Sequence, residues 1–146
     1  MDSAICFAPP CVYGALTALD LVRLAVTICL AILFLQSGLD KVIDRKGNVE
    51  WLTGHFSKSP LASFVAPMLG VITLLEVSAG ALSAIGAVML LLTKARTLAA
   101  LGALLAVTGL LMLFFGQRMA KDYTGAAALV PYLLLACLGL GLMGSP

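Results

Sequence analysis

Leu21 to Arg45 reads LVRLAVTICLAILFLQSGLDKVIDR. It is an apolar run long enough to cross a bilayer, broken near its start by Arg23 and ending in the polar string Gln36, Ser37, Gly38, Leu39, Asp40, Lys41. A bilayer core needs about 20 apolar residues in a helix. An arginine inside hydrocarbon is costly and is ordinarily paired or turned toward protein. The acid in the most similar apolar setting is Glu76. How these two charges are accommodated is the main physical question the sequence poses.

The whole chain has the same character. Of 146 residues, 62% are hydrophobic and 11% charged, a composition that soluble domains do not reach. The expected class is all-α membrane: a four-transmembrane-helix bundle in one domain, with spans at about 16–37, 61–93, 97–116 and 125–143. The first ten residues, MDSAICFAPP, lack the basic region of a secretory signal, so the first span is expected to be retained. The net charge of +2 is small and the Lys and Arg residues gather at the ends of apolar runs, which argues against nucleic acid as a partner and for the lipid bilayer.

Between the first two spans, residues 40–60 are too polar to cross. Trp51, Leu52 and Phe56 interleaved with charge suit an interfacial segment, with Gly47 and Asn48 as its expected break. Ser59 followed by Pro60 reads as a helix N-cap with proline at the first position, and Pro67 as a kink or second helix start. Gly80, Ala84, Ala79, Ser83 and Gly86 offer close helix approach, most simply inside one subunit.

Four spans put both termini and the Lys94/Arg96 turn on one side. Lys41, Arg45, Lys46, Lys58, Arg118 and Lys121 fall on the other. The positive-inside tendency therefore places connections 40–60 and 117–124 in the cytoplasm and both termini outside. At about 1.5 Å per residue, Arg23 lies roughly 22 Å from Gly38 and Glu76 roughly 21 Å from Ala62. On that estimate Arg23 and Glu76 meet as an intramembrane ion pair, with Asp20 three residues before Arg23 as a further partner. The bland alternative is a local Asp20–Arg23 pair near the span's end, with Arg23 snorkelling.

A second polar group, Gln36, Ser37, Asp40 and Lys41 with Gln117 and Arg118, gathers at the cytoplasmic face beside Lys121, Asp122 and Tyr123. It reads either as a mouth for a headgroup, anion or quinone ring or as interfacial anchors, and Tyr132 could add a hydroxyl to it. Cys6 and Cys11 fall where a disulfide could form. Cys29 and Cys137 read as buried small hydrophobes, and His55 as an interfacial residue. No metal-ligand spacing, phosphate loop or nucleophile–base set stands out, so catalytic residues stay unknown.

Arg23, the string Phe34-Leu-Gln-Ser-Gly-Leu-Asp-Lys41, and Glu76-Val-Ser-Ala-Gly80, within four spans, resemble the DoxX-like family of small bacterial membrane proteins. The stretch Gly116 to Ala127 is similar to the third connection of some members. The resemblance implies a four-span protein of the bacterial cytoplasmic membrane working with membrane redox systems. It leads to the expectation of an accessory subunit of a larger respiratory or other redox complex, with no covalently bound cofactor. The alternative is a quinone-linked oxidoreductase component, similar to the membrane subunit of a thiosulfate:quinone oxidoreductase, in which the mouth holds quinone and Glu76 or Asp40 exchanges protons. A small-solute transporter is a weaker third reading, since four spans without an evident repeat give it little support.

Overall fold

The computed structural model describes residues 12–13 and 16–145. A two-residue hairpin, β1 (Val12–Tyr13) with β2 (Leu16–Thr17), leads into five α-helices. These are α1 (Ala18–Ile43), α2 (Arg45–His55), α3 (Val65–Thr93), α4 (Thr97–Met119) and α5 (Tyr123–Gly144). The chain is all-α in its core, and four helices are long and apolar enough to cross a membrane, as expected of a multi-pass membrane protein.

Each helix starts and stops for local reasons. Thr17 and Asp20 form a reciprocal capping box at the head of α1, each side chain accepting the other's backbone N–H at 3.1 Å. The first span runs on to Ile43, beyond the expected end near residue 37, because Lys41, Val42 and Ile43 can continue a helix at the interface. The break then falls at Asp44, not at Gly47 and Asn48. The Asp44 carboxylate accepts the Gly47 N–H at 3.1 Å and its carbonyl accepts from Asn48 Nδ2 at 2.8 Å, which seals the start of α2. Ser59 caps a turn, accepting Leu61 N–H at 3.1 Å, and a 3₁₀ turn at Ala62–Phe64 precedes α3. Pro67 stands in the first turn of α3, where its missing N–H costs nothing, and of the two expectations it marks the second helix start, at Val65 after the 3₁₀ turn.

The helices meet through small residues. A Cβ on Gly80 would lie 2.6 Å from the backbone nitrogen of Leu35, and one on Gly38 2.7 Å from a Val77 methyl, so α1 and α3 approach backbone to backbone. Gly86 and Gly102 do the same for α3 and α4, a Cβ on Gly86 meeting Ala99 N at 2.5 Å. Gly139 of α5 closes the ring against Val26 and Leu30 of α1. The small residues of α3 therefore serve packing inside this chain. Between them lies a core of Val26, Leu30, Phe34, Ala79, Ala103, Ala106, Leu110 and Ala136.

Candidate functional site

These contacts fix the register. Gly38 stands opposite Val77 and Gly80 opposite Leu35, so α1 and α3 run antiparallel with Glu76 level with residues 38–39. Arg23 is some 16 residues higher, roughly 24 Å along the axis. Arg23 and Glu76 are therefore not an ion pair. The estimate that matched them took Gly38 and Ala62 as the same depth, whereas α3 begins well below the level at which it first faces α1.

Each charge has its own partners. Glu76, 1% exposed, lies 2.8 Å through Oε2 from Lys41 Nζ and accepts from Ser37 Oγ through Oε1 at 3.2 Å. Lys41 in turn donates to Ser37 Oγ at 2.8 Å and to the Ser37 carbonyl at 3.3 Å. Oε2 has no aligned hydrogen bond. The Lys41 contact at that atom is thus ionic, with the ammonium directed more toward Ser37. Ser37 and Lys41 share a face of α1 at four-residue spacing, which is why one carboxylate on α3 reaches both. Gln36 and Asp40, about 100° round the helix from them, stand exposed.

Arg23, 3% exposed, sits at the opposite end. It donates through Nε to the Leu142 carbonyl at 2.9 Å, through a terminal nitrogen to the Ser145 carbonyl and hydroxyl at 2.8 and 2.9 Å, and meets Asp20 at 3.4 Å. Arg96 also donates to the Ser145 carbonyl, and Lys94 lies 3.9 Å from Asp20. The last carbonyls of a helix lack intrahelical donors, and Leu142 would need one from Pro146, which has no N–H. Arg23 and the Ser145 hydroxyl, which donates to the same carbonyl at 2.9 Å, answer that deficit, and the arginine's charge suits the negative end of the α5 dipole. The Asp20–Arg23 part of the expected cluster is present. Its role is to tie α1 to the end of α5.

Beside the Lys41 network is a cavity of about 640 Å³ between α3 and α4. Trp51 and Leu52 of α2, with Phe56 just past its end, line one side of it, while Met68, Leu69, Ile72, Leu111, Met112 and Phe115 make its apolar walls. Its polar lining is Lys41, Asn48 and Gln117. The expected mouth is thus divided. Lys41 and Gln117 line the cavity, and Ser37 touches it only through Lys41; Arg118 instead stacks over the Tyr123 ring at 4.6 Å, and Tyr132 is exposed on α5.

Sequence reasoning missed the role of α2. His55 Nε2 lies 3.0 Å from Gln117 Oε1 and 3.7 Å from Asp122 Oδ2, and its ring stacks on Trp51 with centroids 4.9 Å apart. This fastens α2 to the end of α4 and the start of α5, where Asp122 caps α5 by accepting Gly125 N–H at 2.8 Å. The signal available was the pairing of aromatics with a lone histidine in an amphipathic segment, which does not name a partner 62 residues away.

Cys29 and Cys137 are free and face outward, not buried as expected, since the helix faces toward the core are taken by other residues. Cys6 and Cys11 lie outside the described residues. Among the described residues no group of His, Cys, Asp and Glu could hold a metal. No family model, curated protein or solved structure matches the chain.

Proposed function

We propose that the protein is a small membrane subunit that holds a ring-headed amphiphile of the quinone class for a larger redox complex. The observation that carries this reading is the cavity of about 640 Å³, apolar but for Lys41, Asn48 and Gln117. Ligand sites are typically of this size, apolar with a few placed polar groups. Trp51, Phe56 and Phe115 offer flat surfaces for a ring. Gln117 supplies a carbonyl-directed donor: its amide nitrogen makes no hydrogen bond among the described residues, while its Oε1 is engaged with His55. Met68, Ile72 and Leu111 suit an isoprenoid tail. Of the residues that carry the DoxX-like resemblance, Ser37, Lys41 and Glu76 form the network at the edge of this cavity while Arg23 and Asp40 stand apart from it, and on that part of the resemblance the protein works among membrane redox partners of the bacterial cytoplasmic membrane. The excess of Lys and Arg on connections 40–60 and 117–124 supports a cytoplasmic cavity end.

Trp51 is the sole tryptophan and lines the cavity, so its fluorescence reports occupancy directly. Titrating the detergent-purified protein with a decyl-substituted benzoquinone should quench it saturably. Gly116→Leu, which pushes bulk from α4 toward Phe56, should abolish the saturable phase; a Cβ there already meets Phe56 at 3.6 Å. Linear quenching identical in both proteins would end the binding reading. Lipid extraction of the protein purified from membranes, alone and with its copurifying partners, tests the association: quinone with the chain supports it. A stoichiometric redox complex with no quinone on this subunit would leave a purely docking role instead.

A further inference from the structure

We infer that Glu76 sets the charge specificity of the cavity, making it select uncharged headgroups over anionic ones. The inference rests on the cavity being a binding site. Among the described residues, Lys41 is the only formally charged side chain in its lining. Alone, an ammonium at the end of an apolar cavity is a receptor for a fatty-acid carboxylate or a lipid phosphate. It is not alone, because Glu76 stands 2.8 Å from Nζ on the side away from the lining and is itself 1% exposed. Glu76 takes no part in the cavity wall and reaches an occupant only through Lys41.

The pair is held as a unit. Ser37 accepts from Lys41 through both its hydroxyl and its carbonyl, so the ammonium is turned toward α1 and α3. An entering anion would have to displace Glu76 or be desolvated beside it, and like charges at such separations repel strongly where water is excluded. A neutral carbonyl or ester pays neither penalty and can accept from Gln117. The other charged groups nearby lie outside the lining: Asp40 is exposed on a different face of α1, Arg118 is engaged with Tyr123, His55 meets Asp122, and the exposed Arg45 reaches α3 at Gly70 without entering the cavity wall. Glu76 is therefore a positioning residue that neutralises Lys41.

The test uses two quenchers of Trp51 that share one brominated chain and differ in headgroup charge by one methyl ester, 9,10-dibromostearate and its methyl ester, at about pH 9 where the free acid is ionised. The wild-type protein in detergent should bind the ester more tightly. Glu76→Gln, which keeps the shape but unmasks Lys41, should reverse the preference by about tenfold or more toward the acid. Lys41→Gln combined with Glu76→Gln should restore preference for the ester, which separates lost charge balance from lost fold. Equal or acid-favouring binding by the wild type, or an unchanged preference in Glu76→Gln, overturns the inference while leaving the cavity a binding site. Failure of both probes to quench wild type more than Gly116→Leu removes the binding reading, and the inference with it.

Discussion

Lys41 and Glu76 face each other at 2.8 Å across the contact between α1 and α3, one partly exposed and the other almost wholly buried. The asymmetry matters, because Ser37 partners both groups, but the ammonium keeps some access to its surroundings whereas the buried carboxylate depends on the lysine for its charge balance.

Removing the base should therefore hurt more than removing the acid. Lys41→Met leaves a buried carboxylate uncompensated and should cost about 3–5 kcal/mol, as broken buried pairs do. Adding Glu76→Gln to it should recover most of that loss. Thermal unfolding of the four proteins of this cycle in one detergent checks the order, and a double variant as unstable as Lys41→Met contradicts it.

Glycine replacements should divide by location. Gly80→Ala and Gly86→Ala drive a methyl to 2.6 Å from Leu35 N and 2.5 Å from Ala99 N, so helix backbones must separate. Overpacking of this kind costs about 1–3 kcal/mol. Gly141→Ala meets nothing within 4 Å and should stabilise α5 by about 0.5–1 kcal/mol through helix propensity. Melting temperatures of the three variants give the comparison.

Ser83 is 0% exposed, and its hydroxyl has no hydrogen-bond partner where α3 crosses Gly102 of α4. Ser83→Ala removes a buried unsatisfied group without leaving a hole larger than one oxygen. It should raise stability by about 1 kcal/mol, read from the same unfolding assay.

Arg23 holds the last turn of α5 through the Leu142 carbonyl and Ser145. Arg23→Gln should fray that turn at a cost of about 1.5–3 kcal/mol for each charged hydrogen bond lost. Arg23→Lys should rescue little, because an ammonium cannot reach separate carbonyls with a planar fork. Hydrogen exchange of residues 139–145 should accelerate in both variants while residues 30–38 of α1 keep their protection.

The class and the elements were legible in the chain because they depend on local quantities. Apolar runs of bilayer length gave four spans, the polar stretch with Trp51 and Phe56 marked a non-spanning segment between the first two, and Asp20 three residues from Arg23 gave that contact. Helix ends were read less well: Asp44 separates α1 from α2 because its side chain caps the start of α2, a role that competes evenly, on sequence grounds, with a break at the Gly47–Asn48 pair nearby. The partners of the buried charges needed the tertiary structure. Hydropathy says that Glu76 must find a cation, and both Arg23 and Lys41 were available along α1. The choice was made by register: Gly80 admits the backbone of Leu35 and Gly38 admits Val77, and sliding α3 to reach Arg23 would drive side chains into those backbones. The cavity is likewise a product of assembly, since α2 folds back over a gap between α3 and α4 and is fastened there by His55 meeting Gln117. Periodicity and composition act within a helix, while depth and pairing are decided by where two backbones can touch.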